Sequence, residues 1–76
     1  MMKTQHVKAS RDSIVGIVNQ ETGIPLSDII DGTKLLGQSG RDRSLQVVKC
    51  CNRRFGRKKR ARSGLIVADV LKMFDA

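Results

Sequence analysis

Basic side chains are the residues of this sequence with the clearest chemistry. The stretch NRRFGRKKRARSG, residues 52–64, holds seven arginines and lysines and no acid. Residues 41–62, here called the basic segment, contain ten basic residues and one acid, Asp42, whereas the rest of the chain has five basic residues and six acids. The net charge of +8 therefore comes from one segment of 22 residues. A local excess of this kind indicates a polyanionic partner.

Arginine and lysine suit phosphate groups, arginine through a planar fork that binds two oxygens at once. We therefore expect the basic segment to bind the backbone of duplex DNA or structured RNA, with an affinity that falls steeply with salt. Polar side chains on the exposed face of its helix could also reach base edges, namely Gln46, Lys49, Asn52 and Arg53. The predicted nucleic-acid-binding residues are Arg41, Arg43, Gln46, Lys49, Asn52, Arg53, Arg54, Arg57, Lys58, Lys59, Arg60 and Arg62.

Other interpretations of the basic run carry less weight. A charge run is often only a solvated loop, and GRKKRAR also fits a nuclear localisation pattern that arises by chance in basic proteins. An anionic membrane would attract the run, but it lacks interleaved apolar residues for insertion. Unstructured single strands are a less suitable target, because both aromatic residues, Phe55 and Phe74, fall on apolar stripes.

The sequence offers little for catalysis. His6, the one histidine, has no nearby partner, no Cys/His spacing fits a zinc site, and no P-loop or dinucleotide fingerprint occurs. The adjacent Cys50 and Cys51 are interpreted as small apolar residues in a reducing compartment. No signal peptide or membrane span is recognisable in the sequence. We predict a cytoplasmic protein that is not an enzyme and uses no metal or cofactor.

Apolar periodicity predicts the elements that position the basic segment. Ile14, Ile17 and Val18 predict a helix over residues 12–21, capped by Ser10 or Asp12 and ended by Gly23. A short turn opened by Pro25 follows, with its apolar side chains directed inward (Leu26, Ile29 and Ile30). The stretch DGTKLLGQSG, residues 31–40, is predicted to be a loop tethered by Leu35 and Leu36.

The second half of the chain predicts two more helices. Over residues 43–55, Leu45, Val48, Cys51 and Phe55 form an apolar face. On the opposite side Gln46, Lys49 and Arg53 form a basic ridge, which Arg57 continues just beyond this stretch. Gly56 is a candidate for the end of this helix. A last helix, capped by Ser63, has a buried stripe made of Val67, Val70, Leu71 and Phe74.

These elements predict an all-α fold, a small three- to four-helix domain with a long glycine-containing loop. Residues 1–9 are expected to be a flexible N-terminal arm and residues 10–76 a single helical domain. The size matches many helix-turn-helix modules. A homodimer is compatible with the apolar stripe of the last helix, although nothing in the sequence requires one.

The order of elements resembles that of the acyl and peptidyl carrier proteins, in SIVGIVNQETGIPLSDIIDGTKLL, RRFG and IVADVLKMF. The resemblance implies a phosphopantetheine arm on a serine that follows an aspartate and precedes a leucine, and enzymes of carrier-dependent pathways as partners. Here Ser44 precedes Leu45, but Arg43 stands before it and Asp42 lies one place too early. Ser44 is the attachment site that the resemblance implies, with Ser39 as second choice. The basic second helix departs from the acidic one typical of carriers.

A more local resemblance is to the DNA-binding C-terminal domain of the bacterial replication initiator. IVGIVNQETGIPLSDI is similar to its opening helix and turn, and RDRSLQVV to the start of its basic helix, although its acid-histidine-threonine turn is missing. Together the charge pattern and the helices predict a small nucleic-acid-binding protein, a DNA-binding regulator or architectural factor of bacterial or phage type. The alternative is a divergent carrier protein modified on Ser44.

Overall fold

Three α-helices and one short 3-10 turn make up the regular structure of residues 6–76, the part of the chain that the computed structural model describes. Helix α1 spans Arg11–Thr22, α2 spans Ser44–Phe55 and α3 spans Val67–Met73, with the 3-10 turn at Leu26–Asp28. These residues contain no β-strand, only two isolated bridges. The helical class predicted from the sequence is therefore confirmed.

Helix α1 has the ends that its sequence predicts. The Ser10 side chain accepts a hydrogen bond from the Ser13 backbone N–H at 3.2 Å, which caps the first turn. Gly23 ends the helix in the left-handed region, at φ 79°, and its N–H donates to the Asn19 carbonyl. The predicted apolar stripe of this helix is buried.

The segment after α1 departs from its predicted orientation. Ile29 is buried, but Leu26 is 58% exposed and Ile30 is 63% exposed, so the prediction that all three point inward is wrong. For Ile30 the reason is that the 3-10 turn ends at Asp28 and the backbone becomes extended at Ile29. Helical spacing no longer decides which side chains face the core beyond that point.

The glycine-containing loop is held on both sides by backbone hydrogen bonds. The Arg43 N–H donates to the Leu35 carbonyl at 2.7 Å, and the Val67 N–H donates to the Thr33 carbonyl at 2.9 Å. Leu35 is fully buried whereas Leu36 is exposed, so only the first of the two predicted tethers is correct. In extended backbone, neighbouring side chains point to opposite sides.

Helix α2 buries its apolar face, but the start of that face is polar. Val47, Val48, Cys51 and Phe55 are buried, whereas Leu45 is 39% exposed, so its predicted place on the buried face is wrong. Ser44 takes the inward position instead. It lies three and four residues before Val47 and Val48, and Leu45 is rotated from it by about 100°.

Helix α3 begins later than predicted. Ser63 does not cap it, because Ile66 is extended and pairs with Lys34 in an antiparallel bridge. The helix starts at Val67, and the Asp69 carboxylate accepts a hydrogen bond from the Ile66 N–H at 3.0 Å. Its predicted buried stripe is confirmed, and Phe74 meets Phe55 edge to face with ring centroids 5.5 Å apart.

Both cysteines are free and buried in the core of the domain. Burial, and to a smaller extent the neighbouring Cys50, raises the pKa of the Cys51 thiol to about 12. This thiol therefore stays protonated near neutral pH and behaves as a small apolar group, as the sequence predicts.

Residues 6–9, the described part of the predicted N-terminal arm, run along the end of α2. The Val7 N–H donates to the Arg54 carbonyl at 3.0 Å, and Ala9 packs against the core. Residues 1–5 lie outside the described residues. From residue 6 to residue 76, no helix combines the length and the apolar character needed to cross a membrane.

Candidate nucleic-acid interface

Hydrogen bonds between residues 42–44 and 64–65 close the basic segment at its base. One Asp42 carboxylate oxygen accepts from the Ser44 N–H at 2.9 Å and from the Ser44 hydroxyl at 2.6 Å. The other oxygen accepts from the Gly64 N–H at 2.7 Å, and the Ser44 hydroxyl oxygen accepts from the Leu65 N–H at 3.0 Å. We call this cluster the base closure; it fixes the two ends of the basic segment side by side.

The base closure contains the one acid of the basic segment. The hydrogen bond from the Ser44 hydroxyl, followed by those from the Ser44 and Gly64 backbone, lowers the pKa of Asp42 from its ordinary value of 3.8. Hydrogen bonds to the charged form of a carboxylate favour that form. Asp42 is therefore ionised at neutral pH, and its charge is used in holding the segment together.

A second cluster, here called the tip closure, folds the chain back after α2. The Asn52 side-chain nitrogen donates to the Lys59 carbonyl at 2.8 Å, and the Lys59 N–H donates to the Asn52 side-chain oxygen at 2.8 Å. Gly56 ends α2 at φ 66°, and both its N–H and that of Arg57 reach the Asn52 carbonyl. Residues 57–62, the return loop, are therefore anchored to α2 by one side chain.

Asn52 has a different part in the site from the one predicted. Sequence reasoning placed it among the residues that could reach base edges, but it is half-buried and both ends of its amide bind the backbone of Lys59. Its side chain positions the return loop. The three other candidates for base contacts, Gln46, Lys49 and Arg53, are exposed on α2.

The remaining predicted residues lie around this framework. Arg41 is exposed before the base closure, and Arg54 is exposed near the end of α2. In the return loop Lys59 is half-buried, whereas its other four cations, Arg57, Lys58, Arg60 and Arg62, are exposed. The structure thus brings most of the predicted cations onto one helix and the loop that doubles back on it.

Few of these cations are neutralised by acids of the chain. Arg43 approaches Glu21 at 3.4 Å, and Arg57 approaches Asp75 at 4.0 Å. Within residues 6–76, the eight other basic residues of the segment have no carboxylate within 4.0 Å. Their charge is available to an external anion.

Among the predicted cations, Arg43 is the one least suited to bind a phosphate group of a nucleic acid. Its side chain is 32% exposed and contacts Glu21 in an open cleft beside α1. Its Nε atom is buried and has no hydrogen-bond partner among the described residues. Arg43 thus differs from the exposed arginines of the return loop.

Ser44 is fully buried, and both its hydroxyl hydrogen and its hydroxyl oxygen are engaged in the base closure. An enzyme adding a phosphopantetheine arm would need the helix start to open first. Ser39, the second choice under the carrier resemblance, is exposed in a turn. Across residues 6–76, no cluster of three or more histidines, cysteines and acids is arranged to hold a metal ion.

Sequence reasoning missed the parts of the site that hold it together. The Asp42-Arg43-Ser44 stretch carries a local signal, since aspartate and serine commonly bind backbone groups at helix starts. Their partners, Gly64 and Leu65, lie 22 and 21 residues away, and no local pattern indicates that distance.

Comparison with known proteins adds no family to this description. The chain matches no protein-family model, no curated protein and no solved structure.

Proposed function

We propose that this protein binds nucleic acid, with the exposed side of α2 and the return loop against the sugar-phosphate backbone of a duplex. The observation that carries the proposal is the set of eight unpaired cations on one segment whose two closures fix its backbone. A DNA-binding regulator or architectural factor in the cytoplasm is the role that fits this surface best, without catalysis or a cofactor.

The two closures favour a binding surface over a merely solvated loop. The seven positive charges within residues 52–64 repel one another, which disfavours a fixed arrangement. A loop that is only solvated does not need hydrogen bonds that fix its backbone against this repulsion. A loop whose backbone is already ordered loses less entropy when it binds. The tip closure provides this ordering at Lys59, in the middle of the return loop.

The shape of the surface suits a duplex. Helix α2 has 12 residues and is therefore about 18 Å long, and an α-helix fits the major groove of B-form DNA. In this arrangement Lys49 and Arg53 and the return loop bind phosphates. Gln46, exposed on the same side, is the side chain with both donor and acceptor groups for a base edge.

The test is a fluorescence-anisotropy titration of the full chain with one DNA duplex and the RNA duplex of the same sequence. If four to six cations reach phosphates, affinity falls by about two to three orders of magnitude between 50 and 200 mM salt. Tighter binding of the RNA duplex would transfer the proposal from DNA to structured RNA. No binding of either duplex at low salt would refute it.

The carrier alternative is not favoured by the site. Ser44 is buried and engaged by two hydrogen bonds, and the segment that contains it is basic. Mass analysis after incubation with coenzyme A and a phosphopantetheinyl transferase tests it directly. Addition of one arm, abolished by Ser44→Ala, would establish that function instead.

A further inference from the structure

A cavity that is open to solvent lies between the return loop and the end of α3. Its volume is about 310 Å³, and it is lined by Lys59, Arg60, Arg62 and Met73. Met73 is half-buried against the hydrophobic core, and Ala61 of the loop packs against the same core. The cavity therefore has an apolar floor on a helix and three cations around it, with no acid among these four lining residues.

The position of this cavity is fixed by the rest of the fold. Asn52 holds the backbone of Lys59 through two hydrogen bonds of 2.8 Å. On the other side, Met73 belongs to α3, which is anchored by the buried Val70, Leu71 and Phe74. The two walls are thus set by separate elements, and the space between them does not depend on loop side chains alone.

We propose that this cavity holds one unpaired nucleotide of the bound nucleic acid, with the base against Met73 and its phosphate among the three cations. The inference rests on the proposed function and adds a target structure to it. A fully paired duplex would occupy α2 and the return loop, whereas a duplex with a bulge or an overhang would also fill the cavity.

The chemistry of the lining favours a nucleotide over other small anions. A thioether makes favourable contacts with aromatic rings and adapts its shape to them. Arginine guanidinium groups stack on unpaired bases and bind phosphates. The volume is at the lower end of the range for ligand sites, which suits a single nucleotide. A paired base is stacked inside its duplex and does not reach such a cavity, so the nucleotide must be unpaired.

The cavity compensates for the lack of aromatic side chains at the surface. Both phenylalanines are buried and contact each other, so they offer no stacking platform. Met73 is the half-buried apolar side chain that lies beside the cations of the return loop. Its contact with a ring face does not distinguish one base from another, and we expect the site to accept any base.

The experiment compares three labelled DNA duplexes of one sequence by anisotropy, with the full chain. The first is fully paired, the second carries one bulged adenine, and the third carries the same bulge as an abasic site. We expect the bulged adenine to bind about 2- to 12-fold more tightly than the abasic bulge, the range that one ring contact with a thioether provides. The abasic duplex controls for the flexibility that a bulge gives to the DNA.

Two variants locate the effect, Met73→Ala and Met73→Gln, with circular dichroism to check folding. A folded variant should lose the preference for the bulged adenine while keeping its affinity for the paired duplex. Equal affinity of the unaltered protein for the adenine and abasic bulges would overturn the inference and leave the proposed function standing. Retention of the preference in both folded variants would also overturn it. A failure to bind any of the three duplexes would refute the proposed function itself.

Discussion

The basic segment is held at two places that differ in chemistry. The base closure uses an ionised carboxylate and a fully buried hydroxyl, and it is continuous with the hydrophobic core through Ser44. The tip closure uses a neutral amide that is half-buried, next to exposed cations. The first should therefore control whether the domain folds, and the second should control how the return loop is presented to a ligand.

Replacing Ser44 should produce the largest loss of stability. In Ser44→Ala the Leu65 N–H loses its acceptor in a buried position, and Asp42 loses one of its donors. An unsatisfied buried group costs about 1–3 kcal/mol, a large part of the stability of a domain this small. Urea unfolding followed by circular dichroism measures the change.

The exposed Ser39 provides the control for this substitution, since Ser39→Ala removes a hydroxyl from a turn at the surface. We expect its free energy of unfolding to stay within about 0.5 kcal/mol of the unaltered protein. Equal stability of the two variants would show that the base closure does not hold the fold.

Replacing Asn52 should affect binding as well as folding. Asn52→Ala removes both hydrogen bonds to Lys59, so the free energy of unfolding should fall by about 1 kcal/mol. The return loop would then have to be ordered on binding, and we expect the affinity for duplex DNA to fall about 3- to 10-fold. Anisotropy at low salt measures the affinity, and urea unfolding measures the stability.

Asn19 offers a matched comparison, because its side-chain nitrogen donates to the Ile24 carbonyl at 2.8 Å beyond the end of α1, outside the basic segment. Asn19→Ala should reduce stability to a similar degree and leave the affinity for DNA unchanged. If both variants lost affinity equally, the tip closure would have no particular part in binding.

The base closure should also make the free energy of unfolding depend on pH in the acid range. Because the pKa of Asp42 is lowered in the folded protein, its stabilising effect is complete above the ordinary value of 3.8 and is lost as the pH falls through the lowered value. Asp42→Asn should therefore be less stable at neutral pH and lose less stability on acidification. Urea unfolding at a series of pH values from neutral to acid measures both effects.

Asp28→Asn, at an exposed position in the 3-10 turn, is the control for that series. It should keep the acid dependence of the unaltered protein. The interpretation fails if Asp42→Asn and Asp28→Asn give parallel curves.

Local patterns predicted much of this fold. Ser10, Gly23 and Gly56 mark helix ends because the groups that cap a helix lie within a few residues of it. The buried stripes of α1 and α3 follow from periodicity alone. The predictions for Leu26, Ile30 and Leu45 are wrong because these residues lie at or just beyond the ends of helices. There, helical spacing no longer identifies which side chains face the core.

The candidate site was predicted in composition but not in arrangement. The cations are plain in the sequence, yet the closures that position them join residues 7, 21 and 22 apart. The late start of α3 has the same cause, since Ile66 is held extended by Lys34, far away in the chain. Single-sequence patterns carry no information about such pairs, and Asn52 therefore could not be distinguished from an exposed base-reading residue.

The central claim is that the cations of the basic segment bind nucleic acid. It is tested most directly by removing the same number of cations from the return loop in one variant and from another surface in a second variant. Lys58→Gln with Arg60→Gln removes two cations from the return loop, and Lys34→Gln with Lys72→Gln removes two exposed cations elsewhere. Both proteins have the same net charge, so non-specific attraction changes equally. Duplex DNA binding is measured for each at several salt concentrations.

The account predicts that the return-loop variant binds about 10- to 100-fold more weakly than the other at low salt. Its slope of log affinity against log salt should be smaller by about 1.8, the value for two lost phosphate contacts. The variant at residues 34 and 72 should keep the slope of the unaltered protein. Equal affinities and equal slopes for the two variants would contradict the account.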